Sequence, residues 1–314
     1  MATSSENQTF EQLVQKLVPQ SRVLRTWGLA GGSSAAMTAL EIEEPDGQTR
    51  RMIVRCPNDA TLKRNPGAAA DEFKLLQITQ SLELATPIPY HLDESGGIFE
   101  TPYLVIEYID GQPEFVPSNV ADYLLQLAVH LAKIHTVDCT DLDLSFLPRK
   151  ANRCPELCRN GPAALDESPD DIRNTLEAMS PLPQRNPAAL LHGDFWPGNV
   201  LWRADKLVAV IDWEDAIVGS PLTDFAISRL DIGLIFGIDA MDCFTHHYKS
   251  MVSLDYTNLP YWDLCAALRI ARLVGTDLAK WVGFFRPFGR QDITEQTIRE
   301  NYRCFMAQAF ERLR

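Results

Sequence analysis

Leu191-His192-Gly193-Asp194-Phe195-Trp196-Pro197-Gly198-Asn199-Val200-Leu201, followed after a short gap by Val208-Ala209-Val210-Ile211-Asp212-Trp213-Glu214, decides how this chain is read. An Asp stands five residues before an Asn in a loop bent by Gly and Pro, and a β-rich run then returns to a second Asp. Phosphoryl transfer asks a protein for little covalent chemistry. It needs a carboxylate to orient the accepting hydroxyl, and oxygen ligands to hold Mg²⁺ against the nucleotide phosphates. Asp194, Asn199 and Asp212 are residues of those types at a workable spacing.

In protein kinases the corresponding loop reads H-R-D-L-x-x-x-N, with the metal-binding Asp on the strand pair that follows. His192, Asp194 and Asn199 keep this spacing, while Gly193 replaces the Arg and Trp213-Glu214 replaces Phe-Gly. With these substitutions the chain resembles, over nearly its whole length, the aminoglycoside phosphotransferase and choline kinase-like family of small-molecule kinases. The resemblance implies a bilobal, protein-kinase-like α+β fold, with an antiparallel sheet and one main helix in the N-lobe and a larger, mostly helical C-lobe. It also implies ATP and Mg²⁺ as cofactors. Asp194 would be the catalytic base, His192 a brace for the loop, and Asn199 and Asp212 the metal ligands.

The chain's 314 residues exceed the size at which a single core stops growing, so two lobes with a ligand cleft are expected, divided at 1–108 and 109–314. In the first part, Phe10, Leu13, Val14 and Leu17 recur at helical spacing behind a Thr9/Gln12 capping pattern. Strands are expected over 21–27, 35–42 and 49–56. The first two are separated by Gly28-Leu29-Ala30-Gly31-Gly32-Ser33-Ser34. Glycines there let backbone N–H groups approach phosphate oxygens, so Gly31, Gly32, Ser33 and Ser34 are candidate nucleotide contacts. On the third strand the period of two puts Met52, Val54 and Cys56 on one face and Arg51, Ile53 and Arg55 on the other. By the resemblance, Arg55 stands where kinases keep a Lys, paired with Glu72 in the first turn of a helix from about 69 to 82. Residues 102–111 would form the last N-lobe strand and the hinge, with the Glu107 carbonyl and Ile109 amide binding the adenine edge.

A helix is expected from about Val120 to His135, capped by Ser118, with His135 a packed core histidine. Residues 139–186, rich in Pro, Asp and Asn, read as an insertion on the acceptor side. Gly219-Ser220-Pro221-Leu222-Thr223-Asp224-Phe225-Ala226 resembles the family's G-D-P-x-x-D-L-A, and Asp224 would cap the next helix and bond the loop backbone. Two further helices are expected over 261–284 and 292–313, the last begun by Asp292.

The net charge of −13 argues against a nucleic-acid binder, which needs clustered Lys and Arg. It fits a cationic or neutral hydroxyl acceptor, with candidate contacts Asp166, Glu167, Asp170, Asp171 and Asp215. No apolar run approaches the ~18 residues of a membrane span, and the reading is a soluble cytoplasmic protein without a membrane partner. Seven scattered cysteines suggest free thiols rather than a secreted disulfide framework. The function expected is ATP-dependent phosphorylation of a small-molecule hydroxyl. A protein kinase is disfavoured by the short stretch between Asp212 and Asp224 and the lack of A-P-E. A nucleotide-binding pseudoenzyme would be expected to have lost the base or a metal ligand, and all three residues are present.

Overall fold

The computed structural model describes residues 4–29, 34–150, 152–155, 165, 169–274 and 277–314. The chain divides into two compact units, Met1–Asp110 and Gly111–Arg314.

Unit 1 opens with α1 (Ser4–Leu17), β1 (Arg22–Gly28), β2 (Ala35–Glu43) and β3 (Thr49–Pro57). It continues through α2 (Asp59–Arg64) and α3 (Ala68–Ser81) to β4 (Pro89–Asp93) and β5 (Tyr103–Glu107). The strands form one antiparallel sheet in the order β1-β2-β3-β5-β4. Alternation along β3 places Met52 and Val54 in a buried cluster with Leu40, Ile42, Tyr103 and Val105, onto which α1 packs Phe10, Leu13 and Val14. The opposite face of β3 carries Arg55 towards α3. Two expectations are corrected here. The first helix begins at Ser4, so Thr9 lies inside it rather than capping it. The sheet also gains β4, whose five residues carry too little alternation to be noticed in the sequence.

Unit 2 contains α4 (Val120–His135), α5 (Pro169–Met179), β6 (Ala189–Leu191), β7 (Val200–Arg203), β8 (Lys206–Val210) and β9 (Ile217–Gly219). Five helices complete it: α6 (Leu222–Phe236), α7 (Ile238–Met251), α8 (Leu259–Val274), α9 (Leu278–Phe284) and α10 (Glu295–Leu313). Two short hairpin-like pairs, β6 with β9 and β7 with β8, sit beside the helices. Helix α6 is buried from Leu222 to Ile235 and packs against α7, α8 and α10, making it the axis of this unit. The caps differ from those expected. Asn119, not Ser118, accepts the Asp122 N–H at 3.1 Å, because Ser118 instead bonds Asp205. Thr294 and Thr297 form the capping box of α10, while Asp292 pairs with Arg290. The expected helix over 261–284 is two helices, α8 and α9.

The expectation of free thiols holds for Cys56, Cys139, Cys243 and Cys304 but not for all: Cys154 and Cys265 form a disulfide across 111 residues of sequence. The fold brings α8 to Cys154, a pairing that spacing along the chain does not announce. Among the described residues, no helix is long and apolar enough to cross a membrane.

Candidate active site

The loop after β6 is shaped by its backbone before its side chains act. Gly193 has φ +85°, and a Cβ there would run into the Asp215 carbonyl oxygen, so only glycine fits. The backbone N–H groups of His192 and Gly193 both donate to the buried Asp224 carboxylate, at 2.7 Å and 3.1 Å. Asp224 therefore bonds the loop as expected, but it does not cap α6, whose first turn has no side-chain cap. Burial opposes its charge. The hydrogen bond and charge of His135, with the Gly193 N–H, outweigh that penalty and hold its pKa below the ordinary range. His135 also bonds the Tyr248 hydroxyl at 2.6 Å, a packed core histidine as expected. The Ser228 hydroxyl, one turn further along α6, donates to the Phe195 carbonyl at 2.7 Å.

His192 is fully buried, and its partners assign its tautomer. Nε2 faces the Ile211 carbonyl at 2.9 Å and so donates, while Nδ1 accepts the Asp194 N–H at 3.2 Å. It thereby ties the Asp194 backbone to the end of the β7–β8 hairpin. Asn199 closes the loop from the other side, its Nδ2 donating to the Asp194 carbonyl and to Oδ2, both at 3.0 Å. The Asn199 carbonyl in turn accepts the N–H of Ile211, the residue before Asp212. Asp212 sits at φ 65°, ψ 62°, a left-handed conformation that non-glycine residues adopt rarely and that clusters at functional sites. Asp194, Asn199, Asp212 and His192 are thus brought together in unit 2.

This donor set can be tested against Mg²⁺. With Nδ2 engaged by Asp194, the remaining polar atom of the Asn199 amide is its oxygen. One amide oxygen and one carboxylate fit a hard cation that takes its other ligands from phosphates and water. No cluster of three or more His, Cys, Asp or Glu suited to a metal occurs among the described residues. Zinc-type sites are not what this loop offers.

One residue of the site was missed by sequence reasoning. Arg269, on α8, forms an ion pair with Asp194 through Nη2 and Oδ1. Burial works against its charge, which Asp194, Asp231 and Asp215 sustain. Around it, burial with Asp194 nearby raises the Asp215 carboxyl, and burial pushes Asp231 up to about 7 despite Arg269. The available signal was an Arg in Leu268-Arg269-Ile270, one of three charges, with Asp263 and Arg272, in a mostly apolar helix.

Beside the loop lies a cavity of about 420 Å³, reached by Gly193, Asp215 and Arg269 and walled by Pro148, Arg149, Lys150, Pro155 and α8. Of the acids expected to meet an acceptor, only Asp215 lines it among the described residues. Asp171 lines a separate cavity with α10 residues, and Asp166 and Glu167 lie outside the described residues.

In unit 1, Arg55 is buried and its Nε donates to Glu72 at 2.9 Å, with Ser34 Oγ 3.4 Å from Nη2. Gly31, Gly32 and Ser33 lie outside the described residues. Glu107 ends β5, its carboxylate accepting the Ile88 N–H at 3.2 Å, and Ile109 follows just before the unit ends.

A model of the phosphotransferase enzyme family (APH) matches residues 28–256, well over half of the chain. The chain belongs to this family. Among curated proteins, it is similar to viomycin phosphotransferase of Streptomyces vinaceus, 27% identical over 195 residues that are 57% of this chain and 66% of that protein. It is also similar to acyl-CoA dehydrogenase family member 10 of Mus musculus, 26% identical over 197 residues, 58% of this chain. The chain spans 18% of that much longer relative and 30% of acyl-CoA dehydrogenase family member 11 of Rattus norvegicus. Among solved APH-type folds, macrolide 2′-phosphotransferase of Brachybacterium faecium superposes with a TM-score of 0.61 at 16% identity, covering 88% of this chain and 93% of that one. Choline kinase of Streptococcus pneumoniae gives 0.59 at 17% identity, covering 99% of both chains. The fold is therefore the α+β, protein-kinase-like fold of small-molecule phosphotransferases.

Proposed function

We propose that this APH-family chain transfers the γ-phosphoryl group of ATP to a hydroxyl of a small molecule, with Asp194 as base. The observation that carries the reading is the Asp194 carboxylate, oriented by Asn199 at 3.0 Å in a loop pinned to α6 through Asp224. The acceptor O–H would give its proton to Asp194 as the new O–P bond forms and the bond from the γ-phosphorus to the β,γ-bridging oxygen breaks, releasing ADP. Mg²⁺, when bound, would neutralise charge on the phosphates, and Asn199 and Asp212 are the residues suited to hold it. Arg55, kept in place by Glu72, would meet the nucleotide phosphates. The Glu107 carbonyl and Ile109 amide would meet the adenine edge. A cytoplasmic setting goes with ATP as donor.

The test is Mg²⁺-dependent ADP release over a panel of amino alcohols, hydroxy acids, sugars, aminoglycosides and macrolides, followed by Asp194→Ala on the best acceptor. Turnover should fall by roughly 10²–10⁴, the range for a positioned general base, while nucleotide affinity barely changes. A variant that keeps the full acceptor-dependent rate removes Asp194 from its role.

A further inference from the structure

Two Arg–Asp pairs at α8 differ in build. Arg229 of α6 takes both oxygens of Asp263, through Nε at 3.1 Å and Nη2 at 3.2 Å, and the two side chains are only 1% and 2% exposed. That pair is sealed in the core. Arg269 takes a single oxygen of Asp194, Oδ1, while Oδ2 accepts Nδ2 of Asn199 at 3.0 Å. The Asp194 side chain stays 26% exposed, and Arg269 also lines the cavity beside the loop. Among the described residues, Arg269 and Asn199 are the donors that meet this carboxylate.

The difference bears on what Asp194 can do. The torsion that turns a carboxylate plane is broad and roughly two-fold, so a hydrogen bond to one oxygen leaves the plane room to swing. A second donor on the other oxygen ends that freedom. A general base must sit within hydrogen-bond reach of the proton it takes, and a displacement of about 1 Å can cost on the order of 10²-fold in rate. Asn199 holds one oxygen from within the loop, and Arg269 holds the other from a helix 75 residues further along the chain. Packing alone does not call for a guanidinium here. Burial works against its charge, and the charge is sustained by Asp194 first, then by Asp231 of α6 and by Asp215 in the turn before β9. A buried ion pair is weak evidence of stabilisation, since apolar side chains of similar volume often do as well. What Arg269 adds is a fixed direction at Asp194.

We propose that Arg269 is a positioning residue: it and Asn199 fix the plane of the Asp194 carboxylate, one oxygen each, and so hold the base in one orientation for the accepting hydroxyl. The proposal rests on the phosphotransfer reading above and deepens it. The two holds have separate jobs. Asn199 ties the base to the metal-binding side, because the same amide has its oxygen left for Mg²⁺, and Arg269 ties it to α8. Phosphoryl transfer tolerates such a cap, since the carboxylate's main task is to orient the accepting hydroxyl and an ion-paired carboxylate still does that.

The test is a double-mutant cycle on the full chain with ATP and Mg²⁺, using the acceptor of the panel above that gives the fastest ADP release. Arg269→Met keeps the aliphatic stem and removes the donor. It should lower kcat by roughly 10–10²-fold while the KM for ATP moves by less than about twofold. Placed in Asp194→Ala, the same substitution should change kcat by less than about twofold, because Arg269 then has no base to hold. Circular dichroism checks folding; should Arg269→Met not fold, Arg269→Gln takes its place in the cycle. A parental kcat in the Arg269 variant overturns the proposal while leaving phosphotransfer standing. So does a further loss of the same size in Asp194→Ala, which would mean that Arg269 acts on the reacting groups without Asp194. If Asp194→Ala keeps the full rate, the base assignment falls and takes the proposal with it. If no acceptor releases ADP, the phosphotransfer reading fails, and crystal structures decide whether Arg269 sets the carboxylate. In the Arg269 variant the Asp194 carboxylate should leave its parental rotamer, and an unmoved carboxylate overturns the proposal.

Discussion

Replacing Asp224 with Asn tests the scaffold of the catalytic loop with the smallest change of shape. Asp224 is fully buried and accepts from the His192 N–H at 2.7 Å and the Gly193 N–H at 3.1 Å, with His135 Nε2 at 3.5 Å. An amide has one acceptor end, so Asp224→Asn sets an NH₂ against a backbone N–H or against His135. One charge-assisted bond is lost and one buried donor is left facing another, together about 2–4 kcal/mol. For a unit the size of Gly111–Arg314 that corresponds to a fall in Tm of about 5–15 °C. The pH dependence gives a second, independent signature. The folded pKa is lowered, so the charge stabilises above the ordinary carboxylate range near ~4 and that stabilisation is lost as pH falls towards the folded value. Melting curves by calorimetry from neutral to acid pH should therefore show parent and variant converging on the acid side. Equal melting temperatures at neutral pH, or a gap that does not shrink in acid, would refute the assignment of Asp224 as the loop's anchor.

Three further outcomes follow from other contacts. Gly193→Ala forces a Cβ onto the Asp215 carbonyl at φ +85° and should cost at least ~1–2 kcal/mol with a sharp loss of turnover, checked by melting and ADP release together. Asp231 has its folded pKa pushed up to about 7, so it erodes stability as pH rises from the carboxylate range to about 7. Asp231→Asn should thus gain on the parent between acid and neutral pH, and a constant gap in Tm would contradict it. Arg55→Met removes the guanidinium that the nearly buried Glu72 meets at 2.9 Å and should destabilise by about 3–5 kcal/mol, much of it recovered in the double variant with Glu72→Gln; denaturant titration reads both.

Local spacing made the central loop legible. Asp194 and Asn199 share one bent segment, and the return strand brings Asp212 back within a hairpin's length, so their proximity is nearly a property of chain geometry. Arg55 and Glu72 were readable for a similar reason: the period of two settles which face of β3 Arg55 occupies, and α3 follows at once. Arg269 and Asp231 were not readable in this way. Both lie on helices buried almost all round, where apolar periodicity names no face, and Arg269 reaches Asp194 across 75 residues of sequence. The Cys154–Cys265 bond was hidden by the same long range.

That disulfide bears on how far the cavity can change shape. Cys265 lines the cavity from α8 and Cys154 adjoins Pro155, another lining residue, so a covalent strap joins two parts of its wall. With the strap closed, the gap between them is a fixed gauge rather than a mould that reshapes around its contents. A covalent bond, and not packing alone, then limits how far those sides can part.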